Sequence, residues 1–128
     1  MAKPLQELNV LEDLYDEGSS DINLKRLAGL LGLPDKELAK ALDVNETTFS
    51  RKPYAPQNAA LNQWMGIFNL IIDIVHEAEP ELSPEQIKLK MQRWLKLARP
   101  EFDNKTPIEF MLAGKIRRVK NFLEQLSS

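Results

Sequence analysis

Apolar residues recur at helical spacing along most of the chain, and turn-forming residues separate the apolar segments. Spacings of three and four residues are typical of amphipathic α-helices, whereas no alternating pattern of useful length indicates a β-strand. Two helix starts are marked clearly, at Ser83-Pro84-Glu85-Gln86 and at Thr106-Pro107-Ile108-Glu109. In each, a hydroxyl side chain can cap the helix and proline suits its first turn. The pattern predicts an all-α fold.

The N-terminal part of the chain predicts one arm and one small helical domain. Residues 1–20 carry leucines at roughly helical spacing, which indicates either a short docking helix or an arm that orders on binding. Residues 21–56 predict three short helices, which Asp21, Pro34 and Asn45 are expected to begin.

A long helix is predicted over residues 57–80, and its apolar stripe is wider than one helix face requires. Such a stripe is either covered within one chain or shared with a second copy. A homodimer through this helix would use Trp64, Met65, Phe68, Ile71 and Ile72. Residues 81–128 are predicted to form a small helical domain. Its first helix is expected to run from Ser83 through Leu97.

Residues 35–52 fit the helix-turn-helix pattern of an N-terminal DNA-binding domain. Leu38, Ala39 and Phe49 supply its buried positions, while Asp43 stands at the turn position usually held by glycine. The side chains expected to reach base edges or phosphates of operator DNA are Lys36, Lys40, Glu46, Thr47, Ser50, Arg51 and Lys52. Because Asp43 and Glu46 are acidic, a purely structural helix pair remains an alternative interpretation.

Composition narrows the possible functions further. The 128 residues carry a net charge of −2, which disfavours a protein that coats nucleic acid indiscriminately. There is no cysteine, and His76 is the only histidine, so thiolate nucleophiles and histidine metal clusters are excluded. No phosphate-binding glycine loop occurs. We therefore expect a cytoplasmic, non-enzymatic protein without cofactor, metal or membrane span.

The last 40 or so residues contain a series of short motifs, namely Trp94-Leu95, Pro100-Glu101-Phe102, Thr106-Pro107-Ile108-Glu109-Phe110-Met111, Gly114, Arg118-Val119 and Leu123. Together these motifs resemble the toxin-binding domain of the Xre/MbcA/ParS antitoxin family. Asp103-Asn104 replaces glycines that are usual in the family, although asparagine tolerates a left-handed backbone. We expect Trp94, Leu95, Phe102, Pro107 and Phe110 to form the core of this domain.

The resemblance implies an antitoxin whose C-terminal region covers the active site of a cognate toxin. Toxins of this kind, commonly of the RES class, consume NAD or transfer ADP-ribose, and the complex represses its own operon. Carried over to this chain, the toxin-binding residues would be Lys115, Arg117, Arg118, Lys120, Asn121, Glu124, Gln125, Ser127 and Ser128. The alternative is a stand-alone helix-turn-helix transcriptional regulator that uses its C-terminal domain for dimerisation.

Overall fold

The computed structural model describes residues 10–16, 21–54 and 58–127. Within these ranges the regular elements are seven α-helices and two short 3-10 helices, with only isolated β-bridges, so the predicted all-α fold is confirmed. The α-helices are α1 (Leu24–Leu31), α2 (Asp35–Ala41), α3 (Glu46–Arg51), α4 (Ala59–Ala78), α5 (Pro84–Leu95), α6 (Pro107–Leu112) and α7 (Ile116–Ser127).

The described chain groups into two compact units, Leu11–Gln63 and a second unit formed by Val10 with residues 64–127, and the division falls within α4. We call them the N-terminal unit and the C-terminal unit. Neither contains a described helix that is both long and apolar enough to cross a membrane.

The N-terminal unit is built on α1 to α3, with a 3-10 helix at Glu12–Leu14 before them. Of the predicted arm the structure describes residues 10–16, which include this 3-10 helix, while residues 1–9 and 17–20 lie outside the described residues. The expected cap at Asp21 is wrong: the side chain of Asn23 accepts hydrogen bonds from the first amides of α1. Asn45 caps α3 as predicted, since its Oδ1 accepts from Thr47 N at 2.8 Å.

Three helices end in the same left-handed turn, in which two amides bond back to carbonyls of the last helical turn. In α1 and α6 the left-handed residue is Gly32 or Gly114, whereas in α2 it is Asp43, with φ of 56°. The amides of Asp43 and Val44 bond the carbonyls of Lys40 and Ala39 at 3.2 and 2.8 Å. Asp43 therefore occupies a glycine-type position at the turn between α2 and α3.

The C-terminal unit has a core of aliphatic and aromatic side chains from α5, α6 and α7. Of the expected core residues, Leu95, Phe102, Pro107 and Phe110 are buried and Trp94 is half-buried. Both strong helix starts are confirmed, with a complete capping box at Ser83 and a cap at Thr106. The expected length of the first helix is wrong, because α5 ends at Leu95 and Leu97 lies outside it, 59% exposed.

The wide apolar stripe of α4 is covered within the single chain. Trp64, Phe68, Ile71 and Ile72 are at most 3% exposed, whereas Met65 is half-buried. These four buried side chains cannot reach a second copy without rearrangement. Of the two interpretations of the stripe, the structure therefore favours coverage by the same chain, and a dimer contact through these four residues is not retained.

Candidate functional site

The seven residues predicted to contact DNA are all exposed on α2, on α3 or immediately after α3. Phe49 is 2% exposed and anchors α3 from within. Lys36, Glu46 and Ser50 border one cleft of about 220 Å³ between α2 and α3, which Ala39 also lines. The small side chain of Ala39 allows α3 to lie close to α2, as a helix-turn-helix requires.

The charges on this helix pair balance. Residues 35–52 contain four acidic and four basic side chains. Asp43 and Glu46 are both exposed. Since non-specific affinity for DNA depends on how many phosphates a protein neutralises, one copy of this surface offers little electrostatic attraction.

Asn58 fixes the turn before α3 from outside the helix pair. Its Nδ2 donates to the carbonyl of Leu42 at 2.6 Å, and its Oδ1 accepts from Leu61 N at 2.8 Å. One side chain thus caps the start of α4 and satisfies a carbonyl at the end of α2. This positioning residue was missed because nothing in the local sequence links Asn58 with Leu42.

A polar network joins both ends of the N-terminal unit. The carboxylate of Asp16 accepts from Asn23 Nδ2 at 3.2 Å and from Tyr54 Oη, and it pairs with Arg26 Nε at 3.1 Å. The hydrogen bond from Tyr54, together with Asn23 and Arg26, lowers the pKa of Asp16. The same bond, together with burial, raises the pKa of Tyr54. In addition, Leu24 N donates to the carbonyl of Pro53, so the chain that follows α3 is tied to the start of α1.

In the C-terminal unit, the residues predicted to face a toxin lie mostly on one face of α7. Arg117, Lys120, Asn121 and Glu124 follow helical spacing and are exposed, and Lys120 pairs with Glu124 at 3.9 Å. Lys115 is exposed before α7, with its Nζ 5.3 Å from the ring of Phe110. Gln125 and Ser127 are exposed nearer the end of α7, whereas Ser128 lies outside the described residues.

Arg118 has contacts within the chain that distinguish it from the other predicted toxin-binding residues. Its Nη2 donates to the carbonyl of Glu101 at 2.8 Å, its Nη1 lies 3.7 Å from Asp103, and its guanidinium lies over Phe110. Asp103 and Asn104 have φ of 56° and 63°, so the turn survives without the expected glycines. Arg118 therefore clamps this turn to α7.

Four aromatic rings pack against one another in the same unit, and Phe110 is the one that lies against Arg118. Phe102 contacts the rings of Trp94, Phe110 and Phe122, with centroids 5.2 to 6.2 Å apart. Trp94 and Phe122 are stacked, and the guanidinium of Arg99 lies 5.8 and 5.3 Å from their centroids. Phe122 thus belongs to the framework that supports α7, and the sequence motif that resembles an antitoxin domain is mainly structural.

Comparison with known proteins concerns the helix-turn-helix of the N-terminal unit. Residues 24–63 match the family model for the antitoxin Xre-like helix-turn-helix domain. The match spans α1 to α3 and the first residues of α4. No curated protein and no solved structure matches the chain. The N-terminal unit is therefore similar to the Xre-like helix-turn-helix domain of antitoxins, and this similarity supports a DNA-binding regulator.

Proposed function

We propose that this protein is the antitoxin of a type II toxin–antitoxin pair, which binds operator DNA through its N-terminal unit and a cognate toxin through its C-terminal unit. The match of residues 24–63 to an antitoxin-type helix-turn-helix is the observation that carries the proposal. The resemblance of the C-terminal motif to a toxin-binding domain supports the second role and favours a RES-type toxin that consumes NAD or transfers ADP-ribose.

The toxin-blocking surface of the proposal is the exposed face of α7. Arg117 forms no hydrogen bond or ion pair with the described residues, so its guanidinium can bind a carboxylate or phosphate of a partner. Arg118 contributes indirectly, since it already holds the turn before α6. The toxin-facing set then centres on Arg117, Lys120, Asn121 and Glu124, with Lys115, Gln125 and Ser127 beside them, and Ser128 stays a predicted member of the set.

The test is growth rescue with the gene adjacent to this one. Expressed alone, that gene should stop growth with falling cellular NAD, and co-expression of this chain should restore growth. A variant with Arg117→Glu and Lys120→Glu should lose protection, whereas Lys105→Glu, an exposed charge reversal elsewhere in the same unit, should retain it. Deletion of residues 122–128 is a poor variant because it removes Phe122 and the buried Leu123 from the core.

DNA binding is tested separately with the promoter DNA upstream of the gene. If the Arg51 side chain contacts a base, Arg51→Ala should weaken specific binding by about 1–3 kcal/mol. If Lys52 contacts a phosphate, Lys52→Ala should reduce the slope of log affinity against log salt concentration by about 1. Because residues 35–52 of one copy have balanced charge, we propose that two copies occupy two half-sites. Unchanged gel shifts for both variants would remove them from the DNA-binding set.

Harmlessness of the adjacent gene would refute the antitoxin role. Specific promoter binding in that case would identify the alternative, a stand-alone helix-turn-helix regulator.

A further inference from the structure

An open apolar groove runs along the C-terminal unit between α4, the end of α5 and α7. Its volume is about 900 Å³, and its floor includes Ile74 and Val75 of α4. Leu89, Leu97 and Leu126 lie along it with 53%, 59% and 54% of their surfaces exposed. They are three of the four large hydrophobic side chains that the described part of the chain exposes. Concentration of exposed leucine on one concave surface is typical of a binding site.

The charged rim of the groove is predominantly basic. Glu79 is paired with Lys90, so the remaining charged side chains of the rim are those of Arg93 and Lys96, which are both exposed. Neither of these two makes an ion pair with any described residue. An occupant with carboxylates beside its apolar positions would neutralise both.

The spacing of the floor residues indicates what kind of segment the groove binds. Ile71, Ile74, Val75 and Ala78 line the groove at helical spacing along about 10 Å of α4. A groove between helices with such a floor accepts the apolar face of another helix. That helix contacts the groove through apolar side chains at positions i, i+3, i+4 and i+7. A second copy of this groove is a poor occupant, because a twofold contact would bring the unpaired basic residues of two rims together.

We propose that this groove binds an acidic, leucine-rich amphipathic helix of a second protein. The proposal rests on the proposed function in naming that protein, which is the toxin encoded beside this gene. It adds a second contact surface beside the exposed face of α7, and α7 reaches the groove through Leu123 and Leu126. The apolar contact supplies affinity, and Arg93 with Lys96 selects against basic helices.

The main experiment measures binding of the purified adjacent gene product to the full chain by calorimetry. Exchange of Leu89 and Leu97 for serine should lower the affinity by roughly tenfold per leucine, because each loses apolar burial in the complex. Both are exposed in the free protein, so the fold is retained, as circular dichroism should show. Tyr15→Ser is the matched control, since Tyr15 is 37% exposed in the other unit.

The outcomes separate this inference from the proposed function. Loss of binding in the leucine variant, with binding retained by Tyr15→Ser, supports the groove. Unchanged binding in that variant, with loss in Arg117→Glu and Lys120→Glu, overturns the groove and leaves the antitoxin role intact. If groove substitutions convert a dimer of this chain into monomers, a second copy is the occupant and the proposal is wrong.

A defined peptide tests the groove if the adjacent gene product does not bind. The probe is a labelled 15-residue helical peptide with leucines at i, i+3, i+4 and i+7 and flanking glutamates, compared with its lysine counterpart by fluorescence polarisation. The acidic peptide alone should bind wild type, and Arg93→Glu with Lys96→Glu should reverse the preference. Equal or absent binding of both peptides, or preferential binding to anionic phospholipid vesicles, would overturn the proposal.

Discussion

Asp43 provides a direct test of the turn between α2 and α3. A residue with φ of 56° lies in the left-handed region, which costs an L-residue such as alanine about 1–2 kcal/mol. Glycine avoids this cost but loses about 0.5–1 kcal/mol more than alanine in backbone entropy on folding. The difference predicts that Asp43→Gly is more stable than Asp43→Ala by about 0.5–1 kcal/mol.

The measurement is urea unfolding followed by circular dichroism. With a slope of about 2 kcal/mol/M, the two variants should differ by about 0.25–0.5 M in midpoint. Glu37, exposed within α2, is the matched control position. There the order should reverse, because glycine within a helix is about 1 kcal/mol less favourable than alanine. If Asp43→Ala were as stable as Asp43→Gly while Glu37 behaved as expected, the left-handed turn would be wrong.

Further predictions concern pH, the clamp and a helix cap. The pKa of Asp16 lies below its ordinary value of 3.8, so the stability it contributes is present above about pH 4 and is lost as the pH falls through the lowered value. Asp16→Asn should therefore destabilise the chain at pH 7 and flatten the acid limb of a pH–melting curve, and an unchanged limb would exclude this carboxylate. Arg118→Ala should lower the free energy of unfolding in urea by about 0.5–1 kcal/mol, because it removes the hydrogen bond to the carbonyl of Glu101. Arg117→Ala should change this free energy by less than about 0.5 kcal/mol. Equal effects of the two substitutions would argue against the clamp. Thr106→Ala should cost about 1 kcal/mol in the same assay, and Thr106→Ser should restore most of it, since only the hydroxyl cap is needed.

Helix boundaries were predictable wherever they depend on neighbours in sequence. Ser83 and Thr106 cap their helices through residues three positions away, so the pattern alone identifies them. The first helix start was predicted wrongly at Asp21 because Asn23 also bonds Asp16, and its amide donates to the carbonyl of Leu14. Contacts between residues that are seven or more positions apart cannot be predicted from local spacing.

The candidate surfaces were less predictable than the helices. Periodicity places Trp64 and Phe68 on an apolar stripe but does not tell whether the same chain or another covers it, and here the same chain does. Conversely, Leu97 and Leu126 follow the pattern of core residues and are exposed in the groove. Tertiary packing decides both outcomes. The exposed residues of α2 and α3 were predictable because the turn and the buried Phe49 fix which faces remain outside.

The two tryptophans have a practical consequence for detecting binding. Trp64 is 1% exposed, whereas Trp94 is half-buried, stacked on Phe122 and part of the groove wall. A molecule that fills the groove would remove water from the indole of Trp94 and leave that of Trp64 in its apolar surroundings. Occupancy would then shift the emission spectrum of one tryptophan to shorter wavelength. The protein thus contains an intrinsic fluorescent indicator of its own ligation state, which requires no attached dye.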